Sequence, residues 1–410
     1  MSKRLHMFEA YGIELEYMIV DRDTLQVKPI ADQLLKDASG DYSGDYENGL
    51  VTWSNELVLH VIELKCTKPE ADLQALESAF AENVKEINQR LVRWNAMLLP
   101  SAAHPLMNPH TETRLCPHTN NEVYDIYNQI FDCRGHGWAN LQSTHLNLPF
   151  ANDREFEQLH AAVRIILPLL PALCASSPLL DGAATGYADA RLTFYKSNQS
   201  KIPSITGAII PEPVFSEREH HEVILKKIEQ DIAPYNKGEI LDPVWVNSRG
   251  AMSRFDRGSI EIRIMDIQEC PRADIAIVTL VVEVLKQMVN ETFASLAHQK
   301  LANTDWLAAL LQQTIANGGA TAIADPNYLG YFNLNESQTA LGIWKHLAGQ
   351  LLAAGNDSLA RVKEPLNIIL ERGNLSERMM HKLGSRPDAA SIVSLFRELG
   401  SCLHADRLFT

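Results

Sequence analysis

The chain has 410 residues, of which 46 % are hydrophobic and 21 % charged, an ordinary composition for a globular protein with room for a large core. Its formal net charge of −14, from 51 acidic and 37 basic residues, argues against nucleic acid or an anionic membrane as the main partner. ATP held through a metal and a few arginines remains compatible with that charge.

The first predicted strand is Gly12-Ile-Glu-Leu-Glu-Tyr-Met-Ile-Val20, stopped by the polar turn Asp21-Arg22-Asp23. Side chains two apart on a strand share a face at roughly 6.5–7 Å. Glu14 and Glu16 therefore stand side by side, with Ile13 and Leu15 on the other face. Residues 24–46 read as a helix fragment and loop. Val51–Cys66 follows as one long β-rich segment carrying Glu56 and Glu63, seven apart. A regular strand would set these two on opposite faces, so joint use of both requires a bulge or loop between them. Pro69 opens a helix with apolar residues at Leu73, Leu76, Phe80, Val84, Ile87 and Leu91.

A short strand is predicted at Met97–Ala103, a surface loop at Pro105–Asn121 and a helix at Glu122–Asp132. Gly137–Phe150 reads as a strand with Ser143, His145 and Asn147 on one face. Asp153 caps an apolar helix reaching about Leu173. A turn at Ala175–Gly182 and a loop at Thr185-Gly186 lead to Arg191. Lys196–Ser216 reads as a lid or substrate loop, and Glu217–Ile232 as a helix. Two strands are predicted at Val244–Ser248 and Ser259–Ile267. The second buries Ile260, Ile262 and Ile264 and turns Glu261 and Arg263 the other way. Beyond Pro271 the pattern is helical: Ala273–Thr292, Trp306–Ala316, Ala340–Ala354, Leu359–Ile369 and Ala389–Leu399. The division falls between a mixed part, residues 1–295, and a helical part, 296–410, which serves packing and assembly and suits a homodimer.

Cys66, Cys116, Cys133, Cys174, Cys270 and Cys402 are scattered without a CxxC pair, which speaks against a disulfide framework or zinc site and for a reducing compartment. The apolar runs 162–180 and 275–289 are broken by Arg164, three prolines, Glu283 and Lys286. With no signal-peptide core at the start, the expectation is a cytoplasmic protein without a membrane span. The histidines His104, His110, His118 and His136 match no zinc spacing.

Four strands thus offer an inward polar set where apolar residues would pack better: Glu14 with Glu16, Glu56 with Glu63, His145 with Asn147, and Glu261 with Arg263. Several carboxylates facing one hollow need cations. A carboxylate-rich set with one imidazole suits Mg²⁺, or Mn²⁺ as the alternative, rather than zinc.

Taken in order, Gly12-x-Glu14-x-Glu16, Glu56 with Glu63-Leu-Lys-Cys-Thr-Lys-Pro69, Ser143-Thr-His-Leu-Asn147, Ser176-Ser-Pro178 with Thr185-Gly186 and Arg191, and Arg254-x4-Ser259-Ile-Glu-Ile-Arg263 resemble the carboxylate–amine ligase family related to the second bacterial type of glutamate–cysteine ligase. That family lies within the glutamine synthetase-like superfamily, and the likeness runs from about Gly12 to Arg272. It implies an α+β fold whose antiparallel sheet forms a concave active site for ATP and two or three Mg²⁺. By the same likeness Glu16, Glu56 and Glu63 would hold one metal. Glu14, His145 and Glu261 would hold another beside the nucleotide phosphates, with Asn147 and Arg263 also at the nucleotide. Arg263 would face the transferred phosphoryl group; Arg191 and Arg254 are candidates for phosphate or a substrate carboxylate. From the residues alone, Arg191 could instead pair with Asp189 or Asp181, and Arg254 with Asp256. The implied activity is ATP-dependent amide formation through an acyl phosphate, with L-glutamate and L-cysteine the first pair to test. The alternatives are a guanidino or amine kinase on the same fold and a nucleotide-binding regulator without turnover.

Overall fold

The computed structural model describes residues 4–42, 44–118 and 121–410. The opening strand β1 (Gly12–Asp21) is central to an eight-stranded antiparallel sheet. The other members are β2 (Asp45–Asn48), β3 (Val51–Asn55), β4 (Val61–Cys66), β5 (Ala96–Leu99) and β6 (Ser143–Pro149). After a small separate hairpin, β7 (Leu179–Leu180) and β8 (Ala183–Ala184), the sheet is completed by β9 (Ala251–Arg254) and β10 (Ser259–Asp266). The order is β2-β3-β4-β1-β6-β10-β9, and β5 pairs with the C-terminal half of β1.

Alternation decides which face meets the core. Ile13, Leu15 and Tyr17 of β1, Leu146 and Leu148 of β6, and Ile260, Ile262 and Ile264 of β10 are wholly buried in one apolar cluster. Helices Leu73–Leu91, Asp153–Ile166 and Pro271–Val289 contribute their apolar faces to the same cluster. Burial of this kind contributes about 25 cal/mol per Å² of apolar surface, which fixes the sheet's register against slippage. The polar face of the sheet is left looking into a hollow. Helices beyond residue 295 join this cluster through Leu307, Leu311, Ile343 and Trp344. Trp344 Nε1 donates to the Leu169 carbonyl at 2.9 Å, and the Tyr328 hydroxyl to that of Ile165 at 2.7 Å.

The structure corrects several predicted elements. Val51–Cys66 is a hairpin rather than one strand: β3 ends at Asn55, and residues 56–60 form a loop, tied by Val58 to Leu115, before β4. The strand predicted from Gly137 begins at Ser143, because His136–Ala139 forms a helical turn. The strand predicted at Val244–Ser248 is a helical turn, Pro243–Val246. Asp242 accepts from the Val244 amide at 2.7 Å, and Pro243 sits where a helix tolerates a missing N–H. The strand beside β10 is Ala251–Arg254 instead. The apolar helix from 153 is capped by Asn152, whose side chain accepts from the Glu155 amide. Helix Leu375–Leu383, with its Asn374/Glu377 capping box, was not predicted. The predicted loop at 105–121 contains a short helix at Pro109–Glu112, and its residues 119–120 lie outside the described residues. One helical stretch, Asp153–Cys174, is long and apolar enough to cross a membrane by length and composition, and it is mostly buried inside the protein.

Candidate active site

Register places the acidic side chains together. Glu14 lies directly opposite His145, Glu16 opposite Glu63, and Glu261 opposite Asn147. Glu14 Oε2 is 2.8 Å from His145 Nδ1, and Glu261 Oε1 is 3.8 Å from the same nitrogen. One ligand atom each from Glu14, His145 and Glu261 fall within 4.8 Å of one another, the only such triplet among the described residues. Gly12 lets β1 approach β6 here: a Cβ at that position would stand 3.1 Å from Asn147 Cβ. Asn147 Nδ2 in turn donates to Glu14 Oε1 at 3.1 Å.

Ser143 orients two of these groups. Its amide and hydroxyl both donate to Glu16 Oε2, at 2.7 and 2.9 Å. With its proton directed at Glu16, the hydroxyl oxygen accepts from His145 Nε2 at 2.9 Å, which leaves Nδ1 facing Glu14 and Glu261. Glu63 accepts from Ser54 Oγ at 2.6 Å and lies 3.3 Å from Lys65 Nζ. Glu56, at the outward end of β3, lines the same cavity. The intervening loop overcomes the seven-residue spacing and brings both Glu56 and Glu63 to it. Glu16, Glu56 and Glu63 do not approach one another as closely as the first triplet does.

The electrostatics are those of crowded, dehydrated acids. Burial, then the charges of Glu63 and Glu16, push Glu56 well above the usual carboxylate range. Burial and the neighbouring Glu14 raise Glu63 to about 7. Burial opposes ionisation of Glu14 as well, but the hydrogen bond and charge of His145, with Arg263 behind them, bring it down to about 2. His145 itself is opposed by burial and carried by Glu14 up to about 9. A proton on His145 thus does in part what a divalent cation would do among these groups.

The arginines differ in surroundings. Arg263 Nε lies 3.0 Å from Glu261 Oε1 at the edge of the triplet. Arg254 forks onto Asp256, at 3.0 and 2.7 Å, and still lines the cavity. Arg191 pairs with neither Asp189 nor Asp181: its Nε donates to buried Asp266. Asp266 is held by the Ser176 amide at 2.8 Å and Ser177 Oγ at 2.9 Å, while Asp189 caps Arg191's own helix. The Ser-Ser-Pro motif therefore seats the arginine's counter-ion.

The cavity, about 670 Å³, has further walls that the sequence reading missed. Tyr127 contacts both Trp138 and Trp245 edge to face on one side, and Trp245 is 44 % exposed. Lys65 and Tyr195 also line it. Tyr195 could have been found as the residue one helical turn beyond Arg191. The aromatic wall had no local signal, because its members come from 124–138 and 245. The histidines ahead of β6 do not converge. His104 is buried between the Leu25 carbonyl and the Leu106 amide, whereas His118 and His136 face Asp32 and Asp181.

The chain is a ligase that forms C–N bonds, with an α+β fold in which an antiparallel sheet, backed by helices, stands over a carboxylate-lined hollow. Within that class the chain belongs to glutamate–cysteine ligase family 2, whose profile matches residues 10–395. It is 30 % identical over 401 residues to an uncharacterized protein of Archaeoglobus fulgidus, covering 97 % of this chain and 99 % of that one. A putative glutamate–cysteine ligase 2 of Ruegeria pomeroyi is 25 % identical over 295 residues, 72 % of this chain and 67 % of the relative. The crystal structure of glutamate–cysteine ligase from Francisella tularensis in complex with AMP superposes with a TM-score of 0.61 at 11 % identity. That match covers 97 % of this chain and 89 % of the other and speaks to fold alone.

Proposed function

We propose that the protein uses ATP to join a carboxylate to an amine through an acyl phosphate, with L-glutamate and L-cysteine as the first pair to test. The observation that carries this reading is the Glu14–His145–Glu261 triplet, set beside Arg263 on the floor of a large cavity.

The donor set fits a hard divalent cation. Carboxylate oxygens dominate, one imidazole nitrogen faces inward, and thiolates are absent from the cluster. In this reading Glu14, His145 and Glu261 hold one Mg²⁺, and Glu16, Glu56 and Glu63 a second. Bound there, such ions neutralise charge on the nucleotide phosphates. The chain's own groups do the rest. A carboxylate oxygen of the acid attacks the γ-phosphorus and ADP leaves. The amine nitrogen then attacks the acyl carbon and gives up a proton to the departing phosphate, which leaves as inorganic phosphate with the former carboxylate oxygen. Arg263 stabilises negative charge on the phosphoryl oxygens and on the tetrahedral adduct. Asn147 and Ser143 keep Glu14 and His145 in place.

The test supplies ATP, Mg²⁺ and a panel of acid–amine pairs and follows ADP, phosphate and amide. Amide formation in step with phosphate release supports the reading. ADP with a stable phosphorylated product would make the protein a kinase. Nucleotide binding without turnover over the whole panel would make it a regulator.

A further inference from the structure

Helix Ala190–Tyr195 carries Arg191 and Tyr195 one turn apart, and both side chains line the cavity. Arg191 is 2 % exposed. Its Nε is taken by Asp266 and its Nη1 lies 3.5 Å from the Arg263 carbonyl, but its Nη2 has no hydrogen-bond partner among the described residues. The hydroxyl of Tyr195 is likewise buried and without a partner. Its surroundings are charged: Arg263, Arg191, Glu261 and Glu16 all act on it.

Buried donors are normally satisfied, and one left without an acceptor is costly. Two such donors on one helix, next to a second cationic group, Arg263, call for the same kind of guest. An apolar group would leave both unsatisfied, and a cation offers no lone pair for either donor to bond. An oxygen carrying negative charge accepts from both.

We propose that Tyr195 Oη and Arg191 Nη2 form an oxyanion subsite, in which the phenol is a substrate-binding residue. The guest is an oxygen of the acid substrate's carboxylate or of the nucleotide's terminal phosphate, so the inference rests on the ligase reading above. Seating of Arg191 by Asp266 fixes one donor, and the i, i+4 spacing delivers the other.

The experiment compares the full-length protein with Tyr195→Phe, which removes only the hydroxyl. Loss of a hydrogen bond to a charged group should raise the KM of one substrate about 10-fold to 100-fold while kcat changes little. A rise confined to L-glutamate assigns the carboxylate; a rise confined to ATP assigns the terminal phosphate. Because the hydroxyl has no partner among the described residues, the melting temperature without ligand should be unchanged or higher. A structural role would lower it and would overturn the proposal. Unchanged KM values for both substrates, or a fall in kcat alone, would also overturn it. Should the wild-type protein turn over no acid–amine pair, the ligase reading fails by itself. The subsite is then judged from stabilisation against heat by ATP-Mg, L-glutamate or inorganic phosphate. Loss of that stabilisation in Tyr195→Phe supports it; an equal shift in both proteins, or none in the wild type, refutes it.

Discussion

Asp266→Asn isolates the physical basis of the site's architecture. Asp266 is wholly buried and accepts three hydrogen bonds, from the Ser176 amide, Ser177 Oγ and Arg191 Nε. Its partner Arg191 is buried too, so neutralising the acid leaves a guanidinium charge with 2 % of its surface exposed and without its ion-pair partner. The NH₂ of asparagine also meets one of the three donors head on. Breaking a buried pair from one side typically costs about 3–5 kcal/mol, against a total stability of about 5–15 kcal/mol. For a chain of this length that corresponds to a melting temperature lower by roughly 4–6 °C. Differential scanning calorimetry on the ligand-free protein reads it directly. The double variant Asp266→Asn/Arg191→Met removes both charges and should recover most of the loss, since an absent ion pair is far less costly than half of one. A single variant melting within about 1 °C of wild type, or a double variant no better than the single, would refute the account of Arg191 as a charge held in place by Asp266.

Arg263→Ala should lower kcat by about 10²–10³ with little change in melting temperature, because the guanidinium acts on charge that develops during the reaction. Unfolding of that variant in a thermal melt would instead make Arg263 structural. Stability should also depend on pH through the buried histidines His60, His104 and His220, each held near 4, chiefly by burial. Their folded values lie below the unfolded value near 6.5. The unfolded chain therefore binds more protons in between, and stability is lost as the pH falls from about 6.5 to 4. Each histidine contributes up to about 3 kcal/mol to that loss. Glu63 and Glu56, held above the usual carboxylate range, take up protons in the folded state over the same window and offset part of that loss. The check therefore compares wild type with His60→Gln, and a difference in melting temperature that stays constant from pH 6.5 to 5 would show that the ring charges without penalty in the folded state.

Much of the site was legible in the chain itself. Two-residue periodicity placed Glu14 and Glu16 opposite Ile13 and Leu15, and Glu261 and Arg263 opposite Ile260, Ile262 and Ile264, because successive side chains on any strand must point to alternate faces. That local rule needs no knowledge of the neighbours. The same rule misled at Val51–Cys66, where two strands joined by a loop read as one, and at Val244–Ser248, where Asp242 and Pro243 favour a helical turn over the β propensity of valine and tryptophan.

Pairing was the business of the folded molecule. That Glu14 faces His145 and Glu16 faces Glu63 depends on which strands lie side by side, and the order β4-β1-β6-β10 skips back and forth along the chain. Arg191 found Asp266, 75 positions away, rather than the aspartates beside it in sequence. The tyrosine–tryptophan wall became visible only once distant segments closed over the sheet. Alternation along a strand is covalent geometry and is written locally. Partnership across a cavity is settled by the burial of the opposite, apolar face, a quantity summed over the whole chain.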